Sequence, residues 1–539
     1  MRKLIWVLCI AAAFSGAAAA ADEDHPHEEL TQQQLGTVHF RVSCTAEAQK
    51  TFEKGVALLH SFWYEESEKT FLEVEKQDPN CAMAYWGEAM SLWHQLWNHP
   101  DSATIKRASA ELKKADKAKP PTDRERDYIH ALSAFYSNSN KADNQARAVA
   151  YSAAMEKMYN KYPEDHEAAA FYALSLLTSE PDNDTTFSNR KQAGAILEKL
   201  FDAEPNHPGI AHYLIHTYDK PQLAQLGLPA ARRYAQIAPA APHALHMPSH
   251  IFARLGLWQD DINSNLASIA ATRKATEMHM GGEGHQFHAM DYLVYAYLQS
   301  GHEADAAKVI EEVKGMPPMK DMYGMGYDPR TYALVEFPAR YALELHHWAE
   351  AAALTPVPDA QPGDSSTTSW ARAIGAARSG NLTQARTDIE HIDAIHKTLL
   401  DQKKKSTAEA VEQDRQEAAA WLDHAEGRND AAIAALRTIA EKQEASGDES
   451  NGETPAREML ADMLLEMKRP EQALAEYKTS LKFFPNRFNG LYGAAQAAEM
   501  AGQASEATEY YAVLIKTCEG SNSARPELAK AKQAVLAQK

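Results

Sequence analysis

The chain has few cysteines, no excess of positive charge and, beyond its first twenty residues, no long apolar run. Each absence excludes something. Of four cysteines, Cys9 lies in the N-terminal apolar stretch, leaving Cys44, Cys81 and Cys518, too few for a disulfide scaffold. With 74 acidic against 55 basic residues and a net charge of −19, the chain lacks the basic footprint that phosphate-backbone binding needs, so no nucleic-acid partner is expected. No later segment carries the roughly 18 consecutive apolar residues of a membrane helix, so no membrane span is expected in the mature chain. No run alternates like a sheet strand. There is no GxSxG, no phosphate-binding loop and no GxGxxG, and neither histidine pair described below contains the internal glutamate of HExxH.

The N-terminus, MRKLIWVLCIAAAFSGAAAA, has a basic start, an apolar run and a small-residue end. It reads as a secretory signal over residues 1–21, which implies a secreted or periplasmic protein. Residues 22–46 are polar and aperiodic and read as a mobile arm; the His-Pro-His at 25–27 is a weak metal hint on a solvated segment. In an oxidising compartment disulfides persist. Cys44 precedes the first helix of one repeat and Cys81 begins the first helix of the next, so a Cys44–Cys81 bond is expected, with two separate buried thiols as the alternative.

From about Glu47 apolar residues recur at i, i+3, i+4 and i+7, and proline-containing loops break the pattern, which makes the chain all-α. Residues 47–80 carry Gly55, Phe71 and Pro79. Residues 452–485 carry Ala473, Tyr477 and Pro485; Ala507 and Tyr511 follow 34 residues after their counterparts. Small residues let paired helices approach, aromatics fill the space beside them, and proline ends the second helix. A 34-residue helix–turn–helix period of this kind resembles the tetratricopeptide repeat family. The resemblance implies a superhelical α/α solenoid of about twelve helix pairs. We divide it into 47–330, a degenerate stretch 331–450, and 451–539 ending in a polar helix. The stretches FEKGVALLHSFWYEESEKTF, CAMAYWGEAM, APHALHMPSHIFARLGLW and DYLVYAYLQSG also look like an exported bacterial subgroup of that family, which fixes architecture and supplies no activity.

Histidines dominate one region. His212 and His216 recur as His246 and His250, 34 residues later, each pair at the same distance from a proline (Pro205, Pro239). Spacing i, i+4 puts both members on one helix face. By equal offsets from Gly256 and Gly301, His243 maps onto His288 and His246 onto Asp291. The family resemblance places the first helix of each pair on the concave side. It therefore puts His212, His216, His243, His246, His250, His288 and Asp291, with Asp219 and Arg254, on an inner, ligand-facing groove. Imidazoles with a carboxylate suit a transition metal such as Zn, Cu or Fe. The competing readings are a groove for an anionic or peptide ligand, assisted by Arg254 and Lys220, and a buried polar network. Pro248 either distorts the helix between His246 and His250 or begins it. The glycine-rich TEMHMGGEGHQF at 276–287, with Glu283 and His285, reads as a lid, an extra ligand source or a linker. Met316, Met319, Met322 and Met325 suggest Cu(I) or gap-filling. Trp86 and Trp93 fit core at helical spacing. The balance favours a binding scaffold, for metal or for a protein or peptide partner, over a metal-dependent hydrolase or oxidase.

Overall fold

A computed structural model describes residues 30–97, 99–137, 143–181, 184–319, 328–447 and 454–537. The signal-like segment, residues 22–29 of the arm, and Met322 and Met325 lie outside the described residues. Among those described there is no strand and no helix long and apolar enough to cross a membrane.

Twelve consecutive helix pairs run from Ala46–His60 with Tyr64–Gln77 to Phe488–Met500 with Ala504–Thr517. A short Gln32–Leu35 helix precedes them and Pro526–Ala537 closes the array. The architecture is an α/α solenoid of helix–turn–helix pairs. Its local causes are those read from the repeat residues. Phe71 is fully buried against two glycines; a Cβ at Gly55 would lie 2.9 Å and one at Gly87 2.3 Å from its ring. Tyr477 fills the equivalent gap beside Gly493, where a Cβ would lie 2.2 Å away. Trp86 and Trp93 are core, Trp93 stacking on Phe135 at 3.8 Å.

The first helices of the pairs face inward and turn tightly enough to meet themselves. The Ala46–His60 helix of the first pair packs on Pro208–Tyr218 of the fifth, with Tyr213 Oη 2.8 Å from His60 Nδ1. Gly209 permits the approach: a Cβ there would lie 2.4 Å from His60 Nδ1. The interior of this turn is therefore a packed core and not an open groove. A second closure joins His285–Gln299 to Phe488–Met500. There the fully buried Arg487 donates to Glu344 at 2.6 Å, to Glu458 at 2.9 and 3.0 Å, and to Tyr295 Oη at 2.9 Å.

One expectation needs correction. From Leu30 onward the arm is part of the fold: Leu35, Val38 and Phe40 are buried, Thr37 N–H donates to Asn206 O at 2.9 Å, and the Arg124 guanidinium lies over the Phe40 ring. One helical turn followed by irregular chain, burying three apolar side chains, is too short for a helical period to announce it. The apolar cores run Leu35–Met280, Ala253–Phe337 and Ala339–Ala531. Cys44 and Cys81 are joined by a disulfide with Cα atoms 5.0 Å apart, and Cys518 is a buried free thiol.

Candidate metal centre

The site begins with proline. Pro208 and Pro242 occupy the first turn of their helices, where the missing N–H costs nothing. Pro248 then interrupts the inner helix of the sixth pair into Pro242–His246 and Pro248–Arg254. Met247, at the break, keeps right-handed helical dihedrals (φ −52°, ψ −34°). The break therefore removes a hydrogen bond without reversing the face, and His246 and His250 stay on one side.

The imidazoles fall into two groups of three, His212, His216 and His243, and His246, His250 and His288. Within each group the nitrogens lie within 4.8 Å of one another. His216 Nε2 is 3.0 Å from His212 Nε2, and His246 Nε2 is 3.0 Å from His250 Nε2.

Outer partners fix the tautomers. His212 Nδ1–H donates to the His60 carbonyl at 2.6 Å. His246 Nδ1 faces Asn265 Oδ1 at 2.7 Å. The Asn265 amide nitrogen donates to Asp261 O at 3.0 Å and Oδ1 at 2.8 Å, which turns its oxygen toward the imidazole. His250 Nδ1 lies 2.8 Å from Asp219 Oδ2, a carboxylate that can only accept and that also takes Arg254 Nε at 2.9 Å. With Nδ1 donating on both rings, neutral His246 and His250 aim two lone pairs at each other across 3.0 Å. A proton or a cation must reconcile them. Burial opposes the proton on His246, pushing its basicity well below the ordinary histidine range, with His288 and His250 adding to the effect. Burial likewise lowers His212 to about 3 and His243 well below its usual value. His243 Nε2 is buried without a hydrogen-bond partner. Neutral imidazole nitrogens backed by outer acceptors are in the form that can ligate a transition metal.

A neighbouring cluster serves as contrast. His60 Nε2 and His207 Nε2 meet the two oxygens of Glu167 at 2.8 and 2.9 Å. His60 Nδ1 has the Tyr213 hydroxyl, and His207 Nδ1 accepts from Ile210 N–H at 3.3 Å. Although burial pushes the other way, His207 and His60 hold the Glu167 carboxyl well below its usual range. Every polar atom there is satisfied, and the cluster is a structural brace that presents the His60 carbonyl to His212.

Not every expected residue joins the site. Asp291 is in neither triad: Arg340 pairs with its Oδ1 and the Tyr332 hydroxyl donates to its Oδ2 at 3.1 Å. The carboxylate is engaged in another layer, held by two side chains of the next inner helix, Arg330–Glu344. Asp219 and Arg254 stand behind His250. His285 lies beside the first triad, its ring 5.8 Å from that of His243. Glu283 is exposed and outside both triads. Lys220 reaches the Ser446 carbonyl at 3.3 Å. The glycine-rich segment shrinks to residues 278–284 between helices ending at Glu277 and starting at His285, with Gly281 and Gly282 at φ +73° and +83°. Sequence reasoning missed His60, Asn265 and Tyr292; the Tyr292 hydroxyl sits 3.0 Å from His250 Nδ1. It also missed Phe62, which stacks on His216 and His243.

Searches against family models and curated proteins find no match. Solved structures with similar helical arrays include a human IFIT1 dimer with m7Gppp-AAAA, at 12% identity over 86% of this chain and 95% of that one, with a TM-score of 0.35. The TPR domain of P58(IPK) aligns at 13% identity over 92% and 99% of the two chains, with a TM-score of 0.21.

Proposed function

We propose that this protein is an exported helical-repeat scaffold whose histidine cluster holds a transition metal. The carrying observation is the His246–His250 pair, two Nε2 atoms 3.0 Å apart whose Nδ1 positions are both committed to outer acceptors. Neutral imidazole with Nδ1–H tied to a carboxylate, amide or carbonyl is the form that binds Zn, Cu or Fe. Export fits the signal-like N-terminus and the Cys44–Cys81 bond, which an oxidising compartment maintains. The repeat surface outside the cluster suits a protein or peptide partner.

The test is elemental analysis of protein purified without an affinity tag. The wild type is expected to carry stoichiometric metal. His246→Ala with His250→Ala is expected to lose metal while helicity is kept. A metal-free wild type that also fails to take up added Zn²⁺ or Co²⁺ would leave a polar network and remove the metal reading.

A further inference from the structure

The cluster is built twice. An i, i+4 pair on one inner helix is joined by a single imidazole from the next inner helix: His212 and His216 with His243, then His246 and His250 with His288. His243 and His288 occupy corresponding places, so the second triad is the first displaced by one repeat. A metal–nitrogen bond of about 2.0–2.1 Å places two donors on one ion no more than about 4.2 Å apart, and a bite of 3.0 Å corresponds to an angle near 90–95° at the metal. Each 3.0 Å pair thus has the bite of one ion on its own.

From this we infer that the protein holds two ions in twin sites, one closed and one open to a small exogenous ligand. This rests on the metal reading above and extends it. The first site is walled by aromatics. Phe62 lies 5.6 and 5.7 Å from the His216 and His243 rings and meets His212 edge-on at 4.3 Å, and the Trp97 ring is 5.5 Å from His243. His212 and His243 are buried, and His285 flanks the same side. In the second site His246 is buried, whereas His288, 4.5 Å from it ring to ring, is exposed. Three protein nitrogens with a solvent-facing side leave a fourth position for water, hydroxide or a small anion, the arrangement that separates reactive from structural metal sites.

Cobalt(II) titration of the full-length metal-free protein, followed by visible absorption with and without azide, tests this. The wild type is expected to bind two equivalents, and His243→Ala and His288→Ala one each, with helicity unchanged. Azide is expected to perturb only the band that His288→Ala removes. A single equivalent in the wild type, or loss of both equivalents in either variant, overturns the twin sites. Azide acting on the band that His243→Ala removes overturns the closed–open assignment. Absence of any cobalt binding refutes the metal reading itself, an outcome distinct from binding of one equivalent.

Discussion

At the scale of single residues, the groups behind the imidazoles matter as much as the imidazoles. Asp219 holds His250 in the tautomer that presents Nε2 inward. Asp219→Ala is expected to weaken metal affinity by roughly 10–100-fold, measured by competition with a chromophoric chelator, with little change in far-ultraviolet dichroism. Cys518 is a different case, a free thiol packed into the core. Burial pushes its thiol up to about 12, so it is expected to resist alkylation in the native protein and react in denaturant. The pairs at 212/216 and 246/250 were legible because i, i+4 spacing and a 34-residue shift are visible in one dimension. Asn265 and His60 were not, since nothing local marks an amide or a backbone carbonyl 19 or 152 residues from the ring it orients.

Among elements, the inner helices approach through glycine. Gly209→Ala places a methyl 2.4 Å from His60 Nδ1 and is expected to cost about 1–3 kcal/mol, read as a lower urea midpoint. Because it displaces His60, whose carbonyl orients His212, metal bound by the first triad is expected to weaken as well. The Asp462–Tyr477 pair joins the two helices of the eleventh repeat. Burial raises Asp462 from 3.8 to about 7, outweighing Arg378, so the folded protein favours the protonated acid. That contribution is complete below the ordinary carboxyl value and is lost as pH rises through about 7. Asp462→Asn, which stays neutral, is expected to flatten the part of the stability profile between about pH 4 and pH 7, seen by comparing urea midpoints at pH 5 and pH 8. Helix periods were readable throughout; the Leu30–Thr45 segment was not, because a four-residue helix and the irregular stretch after it are too short to show a 3.6-residue rhythm.

For the whole molecule, the solenoid is set by where it closes. The second closure rests on Arg487 between Glu344 and Glu458, with Tyr295 beside it. Breaking a fully buried pair strands charge, so Arg487→Ala is expected to destabilise by about 3–5 kcal/mol, checked by urea unfolding. The helix–turn–helix architecture followed from repeat residues. The closed interior did not, since superhelical pitch depends on small rotations accumulated across five pairs and no single repeat encodes it.

The contact between His212 and the His60 carbonyl spans 152 positions, and it exists only once the fifth pair has returned to the first. A chain that has not yet folded has no oriented imidazoles to offer. Under the metal reading proposed above, ion capture would therefore follow closure of the first turn and could not precede it.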